Sequence, residues 1–146
     1  RRQRQMCIRD SFYMTSDAMF HPDLSIYTKQ HDLLRELAMK SDCVIVGRCA
    51  DYVLKELNPI RIFAYADMPS KIKRCMERRP EGENLNETQM KKSIEKIDRS
   101  RAKYYSFFSG QKWGARENYD LLINTSGADI NALSSAICRY IDTSAE

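Results

Sequence analysis

Arginine and aspartate at a few fixed spacings are the residues of this chain best suited to chemistry. The apolar run Cys43-Val44-Ile45-Val46 leads straight into Gly47-Arg48. Such a run reads as a buried strand that delivers a guanidinium at its C-terminal end. In open α/β sheets the crevice beyond the carboxyl ends of the strands receives ligands, and Gly47 lets a ligand or backbone come close. An arginine there offers phosphate oxygens a bidentate fork. Asp98 and Arg101 stand three apart, so on a helix they share a face. A third segment, from Lys71 to Arg79, holds Lys71, Lys73, Arg74, Arg78 and Arg79. Phosphoryl transfer asks a protein mainly for positioning and for cations that offset spreading charge. These three segments supply the cations, while Asp98 can accept from sugar hydroxyls or hold Arg101 in place. Taken singly, each has an ordinary reading as a solvated basic helix, a helical ion pair or a structural salt bridge. Trp113 and Tyr119 read as packing residues. The joint order along the chain favours the chemical reading.

The elements that must position these residues follow from hydrophobic periodicity. A helix is predicted from Ser25 to Lys40, with Ile26, Leu33, Leu34, Leu37 and Ala38 on one face. A strand is predicted over Cys43–Gly47. A short helix over Asp51–Leu57, ended by Asn58-Pro59, and a second strand over Ile60–Ala66 come next. Asp67-Met68-Pro69-Ser70 opens a basic helix, with proline early in it, where a missing N–H costs nothing. Its apolar face is Ile72, Cys75 and Met76. Asn86 can cap a long helix from Glu87 to about Phe108, with Gln89 at its third position. Tyr119–Thr125 reads as a third strand. Asp129 caps a last helix with a stripe of Ile130, Leu133, Ile137, Tyr140 and Ile141. Residues 12–24 read as a loop or irregular helix entry. Strands alternating with helices imply right-handed crossovers and a parallel sheet.

Composition narrows the class. The 146 residues, 42% hydrophobic and 30% charged, suffice for one soluble domain with a core. No apolar run approaches the roughly 20 residues that span a bilayer, and a cytoplasmic location is expected. Five cysteines without a Cys-x-x-Cys pair, and only His21 and His31 beside them, argue against a zinc site and for reduced, mostly buried thiols. The net charge is +4, but residues 1–11 carry four Arg and one Asp, which leaves +1 for the rest. A nucleic-acid partner is therefore not expected. Residues 1–11 read as a non-native or disordered leader, and 12–146 as one domain.

The segments CVIVGRCADYVL (Cys43–Leu54), IFAYAD (Ile62–Asp67), KIDRSRAKYY (Lys96–Tyr105), GQKWG (Gly110–Gly114) and YDLLINTS (Tyr119–Ser126) together resemble the cytidylate kinase-like family of P-loop nucleoside monophosphate kinases. The resemblance implies a three-layer α/β fold with a parallel sheet of the P-loop nucleoside monophosphate kinase type. It also implies transfer of the ATP γ-phosphoryl group, with Mg²⁺, to a pyrimidine nucleoside monophosphate such as CMP or dCMP. By the same resemblance Arg48 meets the acceptor phosphate, and Asp98 and Arg101 engage acceptor ribose and phosphate. Arg48 and Arg101 are thus the catalytic candidates. Arg74 and Arg78 lead into a lid region of about 79–114. Asn124, Thr125 and Ser126 lie near the adenine.

Two departures stand out. Better-known cytidylate kinases read Asp-Gly-Arg where this chain reads Val46-Gly47-Arg48, so the aspartate that would organise Mg²⁺ is replaced; Asp51, half a turn on, is the candidate substitute. The chain also holds no Gly-x-x-x-x-Gly-Lys-[Ser/Thr] loop, whose backbone N–H groups would cradle the donor phosphates. The expectation is a C-terminal part of such a kinase, with the first strand and P-loop missing, inactive alone. The alternatives are a regulatory module that binds nucleotide without transfer and a basic helical nucleic-acid-binding piece.

Overall fold

The computed structural model describes residues 24–78 and 85–144. The leader, most of the irregular entry over 12–24 and the start of the lid region lie outside the described residues. The chain divides after Pro59 into two compact units.

In the first unit, α1 (Leu24–Lys40) buries Leu34 and half-buries Tyr27, Gln30, His31, Leu37 and Ala38. These positions recur at three and four, the spacing of one helix face. Ile26 and Leu33, assigned from sequence to that face, are 53% and 48% exposed. The expected helix over Asp51–Leu57 breaks in two. The single-turn α2 (Ala50–Val53) ends at Leu54, whose φ of −100° leaves helical geometry, and a 3₁₀ turn spans Lys55–Leu57. Asn58, with φ 47°, then closes it ahead of Pro59. Cys49, Ala50, Val53 and Leu54 join Leu34 in the core.

The predicted buried strand at Cys43–Gly47 is not formed. Its residues make no ladder, and Val44 and Val46 are 88% and 63% exposed. Sequence alone marks the segment's preference for extended backbone, but a strand exists only when another pairs with it. None of the described residues does so.

The second unit holds a two-stranded parallel sheet, β1 (Ile62–Tyr65) beside β2 (Leu121–Asn124), with Ile62 opposite Leu121 and Tyr65 opposite Asn124. Both strands are shorter than the sequence suggests. The parallel pairing is the one expected, and the fold is a helix-rich α/β arrangement. Arg61 pins the start of the register: its backbone N–H and guanidinium Nε donate to Asp120 Oδ2 at 2.7 and 3.1 Å, and Nη2 donates to Oδ1 at 2.7 Å.

Helix α3 (Met68–Glu77) begins at Asp67, whose carboxylate accepts from Ser70 N at 2.8 Å, with Pro69 in the first turn. Its expected apolar face is not buried, and Cys75 is exposed. Helix α4 (Glu87–Ser109) starts with the predicted capping box. Asn86 Oδ1 accepts from Gln89 N, and Gln89 Oε1 accepts from Asn86 N, both at 2.9 Å. It ends at Gly110, whose φ of 69° suits a residue without Cβ. Met90, Ile94, Tyr105 and Ser109 form its buried face. Helix α5 (Ile130–Ser144) carries the predicted stripe, yet Ile130, Tyr140 and Ile141 are 51%, 39% and 37% exposed. Leu133 and Ile137 are half-buried, so the described residues cover only the middle of the stripe.

Candidate functional site

The buried face of α4 runs Met90, Ile94, Tyr105, Ser109. Steps of four, three and four carry the same stripe through Asp98 and Arg101. A carboxylate and a guanidinium thus interrupt an apolar face, where charge is stable only when paired. Arg101 Nη1 donates to Asp98 Oδ1 at 3.1 Å, as the spacing of three predicts. The second oxygen, Oδ2, accepts from Lys71 Nζ of α3 at 2.6 Å. Asp98 and Lys71 side chains are 23% and 31% exposed, whereas Arg101 is 63% exposed. The geometry is a half-buried ion pair with one outward cation hung from it. Sequence reasoning left Lys71 within a general basic run. The signal that singles it out is spacing: Lys71, Arg74 and Arg78 recur at three and four along one helix face, and Lys73 falls off it.

A second cluster lies beyond the C-terminal ends of the two parallel strands. Thr125 Oγ1 donates to Tyr65 O at 2.9 Å and accepts from Arg74 Nη1 at 3.2 Å. Arg74 Nε also donates to Ser70 O at 3.3 Å. Ser126 Oγ accepts from Asp67 N at 2.7 Å, and Ser126 N donates to Asn124 Oδ1 at 3.0 Å. Arg74 and the Asn124-Thr125-Ser126 turn, separate candidates in the sequence, therefore stand together and fasten α3 to the strand ends. The Ser70 hydrogen bonds hold the Asp67 carboxyl below its ordinary range, with Ser126 and Arg74 adding to the effect. Arg78 is the exposed C-cap of α3.

The loop before β2 is held by aromatic packing. Trp113 meets Phe63 edge-on with ring centroids 5.2 Å apart, and Tyr119 lies 4.9 Å from the same ring. Both are packing residues, as their sequence setting suggests. Tyr105 Oη donates to Gln111 Oε1 at 3.0 Å, and Ser109 Oγ accepts from Gln111 N at 3.1 Å. These bonds join the loop to the end of α4.

Arg48 and Asp51 belong to the first unit. Arg48 stands on a turn rather than at a strand end. Gly47, Arg48 and Cys49 have φ of 76°, 61° and 54° in succession. For arginine and cysteine that left-handed conformation is strained, at about 1–2 kcal/mol per residue. The turn leads into α2, where Asp51 occupies the first turn. The adjacent Cys49 is buried, and burial pushes its thiol up to about 12, with Asp51 adding to the shift. It is inert as a nucleophile. Cys43, Cys75 and Cys138 are free and exposed, so the described thiols are not mostly buried as composition suggested. No group of three or more His, Cys, Asp or Glu among the described residues could hold a metal ion. Asp51 alone does not make such a site. No described helix is long and apolar enough to cross a membrane.

Residues 2–127 match the family described as the cytidylate kinase-like family. Among solved structures, the chain is similar to the crystal structure of an uncharacterized protein from Eubacterium ventriosum ATCC 27560. The two are 34% identical with a TM-score of 0.74, over 85% of this chain and 69% of that one. No curated protein matches.

Proposed function

This chain belongs to the cytidylate kinase-like family, and on that footing we propose that it forms the acceptor side of a nucleotide kinase. In this reading the γ-phosphoryl group of ATP, carried with Mg²⁺, passes to a pyrimidine nucleoside monophosphate of the CMP or dCMP kind. The observation that carries the reading is the Asp98–Arg101 pair, in line with the buried residues of α4, with Asp98 half-buried and the guanidinium exposed. An acceptor phosphate that must approach the negative γ-phosphate needs a fixed cation, and a guanidinium held by a half-buried carboxylate is one. Asp98 is the group to meet the acceptor sugar. Arg74 and Asn124-Thr125-Ser126 shape the neighbouring strand ends on the adenine side. Among the described residues no cluster of acidic side chains fits Mg²⁺.

Calorimetry with CMP, dCMP and UMP, followed by a coupled ATP-consumption assay, tests the reading. The 146-residue sequence holds no Gly-x-x-x-x-Gly-Lys-[Ser/Thr] loop. The expected result is therefore acceptor binding without turnover, and turnover once the chain is joined to a segment bearing such a loop. Arg101→Met is expected to weaken acceptor binding at least tenfold, the scale of a charge-assisted hydrogen bond of about 1.5–3 kcal/mol. Failure of every monophosphate to bind would overturn the acceptor assignment.

A further inference from the structure

Lys71 is a charged residue to which the family resemblance gives no role. Its ammonium holds Asp98 Oδ2 at 2.6 Å while Arg101 holds Oδ1 at 3.1 Å. One carboxylate is thus divided between a cation from α3 and a cation from α4. Exposure rises from Asp98 at 23% through Lys71 at 31% to Arg101 at 63%. Lys71 and Asp98 form the half-buried part of the trio, and Arg101 is the part that meets solvent. Helix α3 is itself fastened to the strand ends by the Asp67 N–Ser126 and Arg74–Thr125 hydrogen bonds. Lys71 therefore stands on an element fixed to the sheet and reaches across to α4.

We infer that Lys71 is a positioning residue, acting on an anionic ligand through Asp98 and Arg101. It fixes the Asp98 carboxylate against α3, so that Arg101 presents one guanidinium geometry to a phosphate monoester. It also offsets the Asp98 charge. With Lys71 the trio of formal charges sums to +1, and without it to zero. The ligand class rests on the proposed function; the positioning itself does not.

The test uses the full chain with Lys71→Met, Lys71→Arg, Asp98→Asn and the double variant Lys71→Met/Asp98→Asn. CMP is the calorimetric probe, and solvent exchange of the Arg101 Nη–H protons by NMR is the ligand-free readout. Lys71→Met is expected to weaken CMP binding about tenfold and to speed Arg101 exchange about fivefold, with Lys71→Arg restoring both to within about twofold. In the Asp98→Asn background, adding Lys71→Met is expected to change CMP affinity less than about twofold, since the route through Asp98 is already cut. Equal losses in both backgrounds, or unchanged Arg101 exchange in Lys71→Met, would overturn the inference. Ring-current shifts from the Phe63–Trp113 contact report whether each variant is folded. If no monophosphate binds the unaltered chain, the proposed function fails, and Arg101 exchange still decides the positioning role.

Discussion

Asp120 accepts three hydrogen bonds from Arg61, one from its backbone N–H and two from its guanidinium. The Arg61 side-chain hydrogen bonds hold its carboxyl below the ordinary range against the opposing effect of burial. The sign follows from linkage: a depressed folded value stabilises above the unfolded pKa of about 3.9 and is lost as pH falls through the folded value. Thermal melts of Asp120→Asn are expected to show a loss of about 1 kcal/mol at neutral pH, discounted because the pair is about one-third exposed. The difference from the unaltered chain should narrow below about pH 4. A melt difference independent of pH would contradict this account. Cys49 gives a second check. With its thiol pushed up to about 12 and buried, it should resist alkylation at pH 8 while Cys43, Cys75 and Cys138 are modified, as read by peptide mass mapping.

At the scale of elements, Gly114 links the loop to β1. Its φ is 76°, and a Cβ there would lie 3.0 Å from Phe63 Cζ. Gly114→Ala therefore meets both a backbone penalty and a ring already held by Trp113 and Tyr119. Urea unfolding is expected to show a loss of about 1–3 kcal/mol. Asn86→Ala removes half of the capping box on α4 and should cost about 1 kcal/mol by the same measurement. These two sites mark what a sequence can and cannot disclose. Asn86 and Gln89 are legible because a cap needs only residues three apart. Asp98 and Arg101 are legible for the same reason, and β1 and β2 show as apolar runs. Lys71 pairing with Asp98 was not legible, because 27 residues separate them and the contact depends on how α3 meets α4. The Cys43–Val46 segment failed in the opposite way: local preference was strong, and the partner that would make it a strand is not local.

At the scale of the whole chain, several large apolar side chains among the described residues are exposed. Val44, Val46 and the α5 residues Ile130, Tyr140 and Ile141 all face solvent. Because Val44 and Val46 contribute little burial, Val44→Thr/Val46→Thr is expected to leave stability within about 0.5 kcal/mol while lowering aggregation measured by light scattering. A large loss of stability would show that these valines are packed in solution. Charge is distributed unevenly as well, with +3 of the +4 in residues 1–11. Any retention of RNA or DNA at low salt should therefore vanish when those residues are removed, as filter binding would show. The parallel sheet has a further consequence, in the time domain. Arg61 and Asp120, which open the register of β1 and β2, lie 59 residues apart. At about 5–20 residues per second of synthesis, β1 leaves the ribosome roughly 3–12 s before its partner strand exists. A hairpin would close that interval almost at once. Here Ile62–Tyr65 waits through the synthesis of α3 and α4, so the sheet pairs only after both helices have left the ribosome.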